Sequence, residues 1–305
     1  MTDLRIHTSL KQLLLLKQDG QHLSFSPRYR PTGLFMGSHR SRLKGAGLDF
    51  QELKPYAEGD AIRNIDAKVS ARMAHPYVRV YGQETDRSVY LAVDQRLNMF
   101  FGSQSKMKSV VAAEAAALVG WLTLTKGDRV GGIIIGQDQC YVQKPLRGDN
   151  HFTQLLKELV NYNQRLSMND KSIKKTDSLI DSILKNFHHL NQQTSLILFT
   201  DVDGLSPIDI ENLKLISQRC NLILFIIQDQ LEHDLSSATG LVVNDGSSQE
   251  KIAVDANLAK AFNQAYCDKE QTLKQAMTHN SFPISFIDTE SNLIMQLANI
   301  FGYGG

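Results

Sequence analysis

Ser88-Val-Tyr-Leu-Ala-Val-Asp94 is a short apolar run that closes on a carboxylate. It lacks the polar alternation of a half-exposed strand, so it reads as a strand buried on both faces. Asp94 then falls where the chain leaves the sheet. In open parallel α/β sheets that edge, outside the carboxyl ends of the strands, is where ligands bind. A second run of the same kind comes much later: Ser195-Leu-Ile-Leu-Phe-Thr-Asp201-Val-Asp203-Gly204. Two buried strands that each end in Asp predict one polar site at one rim of one sheet.

Downstream of Ser88, strands and helices alternate. Apolar positions at helical spacing place helices near 105–125, 151–161, 176–189, 208–218, 257–278 and 293–301. Between them, apolar runs at 129–135, 196–199, 222–227 and 284–287 read as strands, and 139–144 as a weaker, exposed one. Asn150 is the expected cap of the second helix, and Asp288 or Thr289 that of the last. Residues 241–246 and 251–254 look like a hairpin appended to the sheet. Such alternation predicts an α/β fold, a doubly wound, mostly parallel sheet with helices on both faces.

Upstream, residues 10–17 form a short amphipathic pattern that ends near Asp19-Gly20. The stretch from Ser26 to Arg87 has a different character, with few long apolar runs and many Gly, Arg and Asp residues. Arg28, Arg30, Arg40, Arg42 and Lys44 follow one another with no acid between them. That composition predicts an ordered loop region with glycine-set turns and paired charges, either a salt-bridged face or a rigid recognition surface. Tyr77 to Tyr81 alternates and reads as a half-exposed strand. The expected organisation is a helix and loop-rich extension over 1–87, packed on a main domain over 88–305.

The formal net charge of the 305 residues is +1, which argues against bulk attraction to nucleic acid or membrane. Cys140, Cys220 and Cys267 are odd in number and far apart, as in a reducing compartment without a disulfide framework. No segment reads as the roughly 18 consecutive apolar residues of a membrane helix. The start of the chain lacks a small-residue cleavage site, so the expectation is a soluble cytoplasmic protein.

There is no phosphate-binding G-x-x-x-x-G-K-[ST], no dinucleotide fingerprint, no Cys/His cluster at zinc spacing and no nucleophile elbow. Phe199 to Gly204 resembles the first motif of haloacid-dehalogenase-type phosphatases, in which Asp201 would attack phosphorus and Asp203 would donate a proton. The later acidic pair that such an enzyme needs for magnesium has only poor candidates in Asp245 and Asp288. The better match is the von Willebrand factor A fold, whose metal-ion-dependent adhesion site gathers D-x-S-x-S, a threonine from a second loop and a later Asp. Asp94 takes the first Asp position and Asp201 the later one, while Arg96 and Asn98 stand where the serines would be. The threonine has no clear equivalent; Asp149, Asn150 and Thr153 fall nearby. Arginine has no lone pair to give a metal. Arg96 is therefore expected to replace the ion electrostatically, in a degenerate rim made of Asp94, Arg96, Asn98, Asp201 and Asp203. Any Mg²⁺ would have to use Asp94, Asn98 and Asp201, with Arg96 holding a ligand position against it.

The residues Gly37-Ser-His-Arg-Ser41, Gly45-Ala-Gly-Leu-Asp-Phe50 and Tyr56-Ala-Glu-Gly-Asp-Ala-Ile-Arg-Asn-Ile-Asp66, continued by Ser70-Ala-Arg72, resemble those of a specific group. It is domain-of-unknown-function family 58, von Willebrand A-like bacterial proteins often encoded beside MoxR-type AAA+ ATPases. The resemblance implies binding positions at Arg40, Gly59, Asp60, Arg63, Asp66 and Arg72. It also implies a non-enzymatic adaptor that works with such an ATPase in assembly or stress responses. Two alternatives stand beside it: the phosphatase using Asp201 and Asp203, and nucleic-acid binding through Arg28–Lys44, which would be strongly salt-dependent.

Overall fold

The computed structural model describes residues 3–22, 40–84, 87–167, 179–186, 194–233, 235, 241–244, 249–252, 256–280 and 282–301. They divide into two compact units, residues 1–35 with 87–305, and residues 36–86.

The larger unit is built on a six-stranded sheet. Its strands are β3 (Ser88–Asp94), β4 (Arg129–Ile135), β5 (Cys140–Leu146), β6 (Thr194–Thr200), β7 (Asn221–Gln228) and β10 (Ile284–Asp288). Their order across the sheet is β10-β7-β6-β3-β4-β5. All neighbours are parallel except β4 and β5, so the predicted, mostly parallel sheet is present with one antiparallel edge. The helices are α1 (Leu10–His22), α3 (Lys108–Thr125), α4 (Asp149–Arg165), α5 (Leu179–Asn186), α6 (Pro207–Arg219), α7 (Gln230–His233), α8 (Ala256–Asn280) and α9 (Leu293–Phe301). Two short strands, β8 (Leu241–Asn244) and β9 (Gln249–Ile252), pair with each other as a separate ladder. The hairpin is therefore real but is not an extension of the main sheet.

The central strands alternate faces, as a period of two requires. Val89, Leu91 and Val93 of β3, with Ile197 and Phe199 of β6, join one apolar cluster with α1, α3, α4 and α9. Ala92, Leu196 and Leu198 join the other, with α5, α6 and α8. Each face carries a layer of helices, which is the doubly wound α/β arrangement expected from the sequence.

The helix α3 is buried nearly all round. By length and composition it could cross a membrane, a property that the sequence reading did not assign to any segment. Yet 89% of it is buried inside the unit, as in the core helix of a globular domain. It packs tightly on α4: a Cβ built at Gly120 would lie 2.0 Å from the Phe152 ring, which is itself set edge-on to Trp121. Gly120→Ala is expected to destabilise the unit by about 1–3 kcal/mol through overpacking, read as a lower urea midpoint at unchanged slope.

The first helix does not stop at Gly20 but continues to His22. At that turn it lies against Trp121: a Cβ built at Gly20 would stand 3.2 Å from the Trp121 Cβ, so a larger residue would be crowded. The Trp121 indole donates to the Leu13 carbonyl at 3.0 Å, and the Thr8 amide donates to Asn163 Oδ1 at 2.7 Å. The other differences are local. Gly148, not Asn150, precedes α4. Asn292 caps α9 by accepting from the amides of Ile294 and Met295. Pro207 opens α6, behind a full capping box of Ser206 and Asp209.

The smaller unit contains β1 (Arg40–Pro55) and β2 (Tyr77–Glu84), paired antiparallel, and α2 (Ala67–Met73). A loop region was expected over much of this stretch; a two-stranded ladder is found. Its register slips around Lys44–Asp49, across Gly45 and Gly47. Glycine at a bulge weakens the strand signal that sequence reading relies on.

Candidate functional site

Leaving β3, the chain builds β4 and β5 on one side of it, then returns to build β6, β7 and β10 on the other. The switch point lies between β3 and β6, the place where such sheets open a crevice. Asp94 is the last residue of β3, and Asp201 directly follows β6. Val93 pairs with Phe199, so the two carboxylates meet at one mouth of one sheet, as predicted.

Neither carboxylate is open. Asp94 is fully buried. Arg96 closes on it with Nε at 2.9 Å from Oδ1 and Nη2 at 2.8 Å from Oδ2. The Thr200 hydroxyl and the Arg96 amide donate to it as well, at 2.8 and 3.0 Å. Asp201 Oδ1 accepts from Asn98 Nδ2 at 2.8 Å and from the Gly204 amide at 2.5 Å. Its Oδ2 faces Lys108 Nζ at 2.6 Å. Lys108, at the head of α3 and 1% exposed, also pairs with Glu232 on α7 and lies 5.5 Å from the Phe101 ring centre. Arg96 Nη2 reaches the Gly204 carbonyl at 2.9 Å. A Cβ at Gly204 would lie 2.8 Å from Arg96, Asn98 and Asp201 at once, so the turn after β6 needs glycine.

Three carboxylates thus share two cations. Burial alone would push Asp94 up, but the charge and hydrogen bonds of Arg96 and the Thr200 hydroxyl hold it below the usual aspartate range. Against the downward push of burial, Asp201 and Glu232 hold the Lys108 ammonium well above the ordinary lysine range. One ammonium does not fully offset two buried acids, and burial leaves both Asp201 and Glu232 above the usual carboxylate range.

The donor set does not fit a hard divalent cation. Such an ion needs oxygen lone pairs converging on one point. Here Arg96 and Lys108 take those of Asp94 and Asp201, and Asn98 presents its amide nitrogen to both. Among the described residues no group of three or more His, Cys, Asp or Glu is placed to hold a metal. The predicted Arg96–Asp94 pair is therefore present, and Arg96 approaches Asp201 as part of the same cluster.

The surrounding loops are pinned too. Buried Asp229, just after β7, accepts from the Ser103 amide at 3.0 Å and the Thr289 hydroxyl at 2.6 Å. Gln95, just after β3, donates to the Ser109 carbonyl and accepts from Asn163, both at 2.9 Å.

Two expectations need correction. Asp203 does not join the rim; it is exposed and pairs with Lys269 of α8 at 2.5 Å. Asp149, Asn150 and Thr153 lie at the opposite end of the sheet, because antiparallel β5 carries the chain back until Leu146 pairs with Val130 at the start of β4. Asp149 there pairs with Lys17. The hydroxyl that does reach Asp94 is that of Thr200. Lys108 was missed altogether; its one sequence signal is a lysine at the head of a helix whose only other charge is Glu114.

In the smaller unit, Asp66 caps α2 through the amides of Lys68 and Val69, both at 3.0 Å, and pairs with Arg79 at 2.7 Å. Asp60 pairs with Lys54 at 2.7 Å, beside Gly59 in a turn with φ of 100°. These residues shape the unit. Arg63 and Arg72 are exposed. Arg40 begins β1, opposite Glu84, and positions 28–39 lie outside the described residues.

The family model for "Protein of unknown function DUF58" matches residues 52–275. The chain belongs to this family. A curated relative, the uncharacterized protein Rv1480 of Mycobacterium tuberculosis, is 30% identical over 112 residues. That match covers 37% of this chain and 35% of the relative, so the chain spans about a third of the length of the curated relatives it matches. Among solved structures, the SpRpn10 VWA domain aligns at a TM-score of 0.39 with 12% identity, over 70% of this chain and 95% of that one. A von Willebrand factor type A protein from Catenulispora acidiphila gives 0.39 with 14% identity, over 73% of this chain and 43% of that one.

Proposed function

We propose that this DUF58 protein is a non-enzymatic interaction module that presents preformed surfaces to a protein partner. The observation that carries this reading is the closed rim. At the switch point, where an α/β enzyme would keep a nucleophile or metal accessible, every carboxylate is already held by Arg96, Lys108, Thr200 or Asn98. Asp201 and Asp203 face different surroundings, which disfavours the phosphatase reading. The partner suggested by the family resemblance is an AAA+ ATPase of the MoxR type, and a cytoplasmic location goes with it.

Arg63 and Arg72 are the family positions free of a structural task, so they are the ones proposed to touch the partner. Immobilised full-length protein should retain a purified MoxR-type ATPase from the same organism. Arg63→Glu with Arg72→Glu should weaken that capture about tenfold or more, as reversing rim charges does at protein interfaces. Equal capture by wild type and variant would refute this face. Hydrolysis of p-nitrophenyl phosphate that disappears in Asp201→Asn would refute the non-enzymatic reading itself.

A further inference from the structure

Beside the rim, at the carboxyl ends of β3 and β4, lies a cleft of about 100 Å³. Leu97, Gln137, Asp138, Tyr162, Arg165 and Leu166 are among its walls. We propose that this cleft receives a single acidic side chain of a partner polypeptide, and that Arg165 recognises it. The proposal rests on the interaction-module reading and gives its partner a chemistry.

Four observations support it. The volume has room for the end of one carboxylate side chain. Arg165 is the one cation among the lining residues, and no described carboxylate lies within ion-pair distance of it. Its guanidinium lies 5.7 Å from the Tyr162 ring centre, an arrangement that orients the fork. The wall behind is rigid: a Cβ at Gly136 would come within 2.8 Å of the Tyr162 ring, and Gln95 is fixed on both amide atoms by Ser109 and Asn163.

The cleft also adjoins the ion cluster. Gln137 Oε1 accepts from the Leu97 amide at 3.1 Å, and the preceding residue is Arg96. The charge of Arg96 is balanced by Asp94, so Arg165 is the cation that the cleft itself presents. Asp138, exposed on the loop between β4 and β5, opposes a second acid. The cleft therefore favours an isolated acidic residue over an acidic run.

Fluorescence anisotropy with labelled octapeptides of glycine carrying one central glutamate, or one central glutamine, tests this on the full chain. The glutamate peptide should bind and the glutamine peptide should not. Arg165→Ala should weaken binding about tenfold, as loss of a charge-assisted contact does. Asp138→Asn should tighten it, and Lys157→Ala, an exposed cation on the same helix, should leave it unchanged. All three positions are exposed, so the variants should fold. Absence of glutamate-peptide binding to the wild type, equal binding by Arg165→Ala, or equal loss in Lys157→Ala would overturn the proposal. If the ATPase is still captured in any of those cases, the cleft assignment fails while the interaction-module reading survives.

Discussion

Lys108→Met is expected to lower the unfolding free energy by about 3–5 kcal/mol, the cost of removing one member of a buried ion cluster. Methionine keeps most of the volume and apolar stem, so packing changes little. What changes is that Asp201 and Glu232 lose the ammonium between them in a place that water does not reach. A domain of ordinary stability has only about 5–15 kcal/mol in total, so the variant sits near the edge of folding. Its pH dependence should be diagnostic. Both acids already sit above the usual carboxylate range in the wild type, and without Lys108 they rise further. A carboxyl group whose pKa is raised on folding binds its proton more tightly in the folded state. Stability of the variant should therefore recover as pH falls from 7 towards 5. Urea unfolding across that range reads the effect. The triple variant Lys108→Met, Asp201→Asn, Glu232→Gln should regain much of the loss, because all three charges leave together. A Lys108→Met protein as stable as wild type at pH 7 would show that the cluster is not held by this ammonium.

Asp94→Asn should cost about 2–4 kcal/mol, somewhat less than loss of Lys108. It keeps the shape of the side chain but removes the charge facing Arg96, and it turns an amide donor towards groups that themselves donate. The Arg96 side chain is 12% exposed, so part of its stranded charge can reach water. The sign of the pH effect is opposite to that of Lys108→Met. Arg96 and Thr200 hold Asp94 below the usual aspartate range in the folded state. Its contribution is therefore fully present above the unfolded value of about 3.9 and is lost as pH falls through the lower folded value. Acid unfolding curves of wild type and Asp94→Asn should differ most near neutrality and converge in strong acid. Parallel curves would contradict the pairing.

The sheet and the meeting of Asp94 with Asp201 were legible because both strands are buried on two faces. Such strands show as unbroken apolar runs, and each run stops at the first residue that can leave the sheet. Lys108 was not legible for the converse reason. A lysine ahead of Ser109 and sixteen further helical residues looks like a solvated flank, and only the pairing of β3 with β6 brings its end to Asp201. Thr200 stood in a stretch read for its two acids, and the value of a hydroxyl depends on register across a strand pair that sequence does not display. Asp149 was misplaced because one antiparallel strand, β5, reverses the direction in which the chain meets the rim. The ladder of the smaller unit was hidden by Gly45 and Gly47, whose turn-like signal outweighed the strand around them.

The central claim is that two side-chain cations, Arg96 and Lys108, do at this rim what a divalent ion would otherwise do. Calorimetric titration of Mg²⁺, and then Mn²⁺, into the EDTA-treated full chain tests it most directly. The account predicts no binding heat and a thermal midpoint that neither ion shifts. Stoichiometric binding that disappears in Asp94→Asn would contradict it.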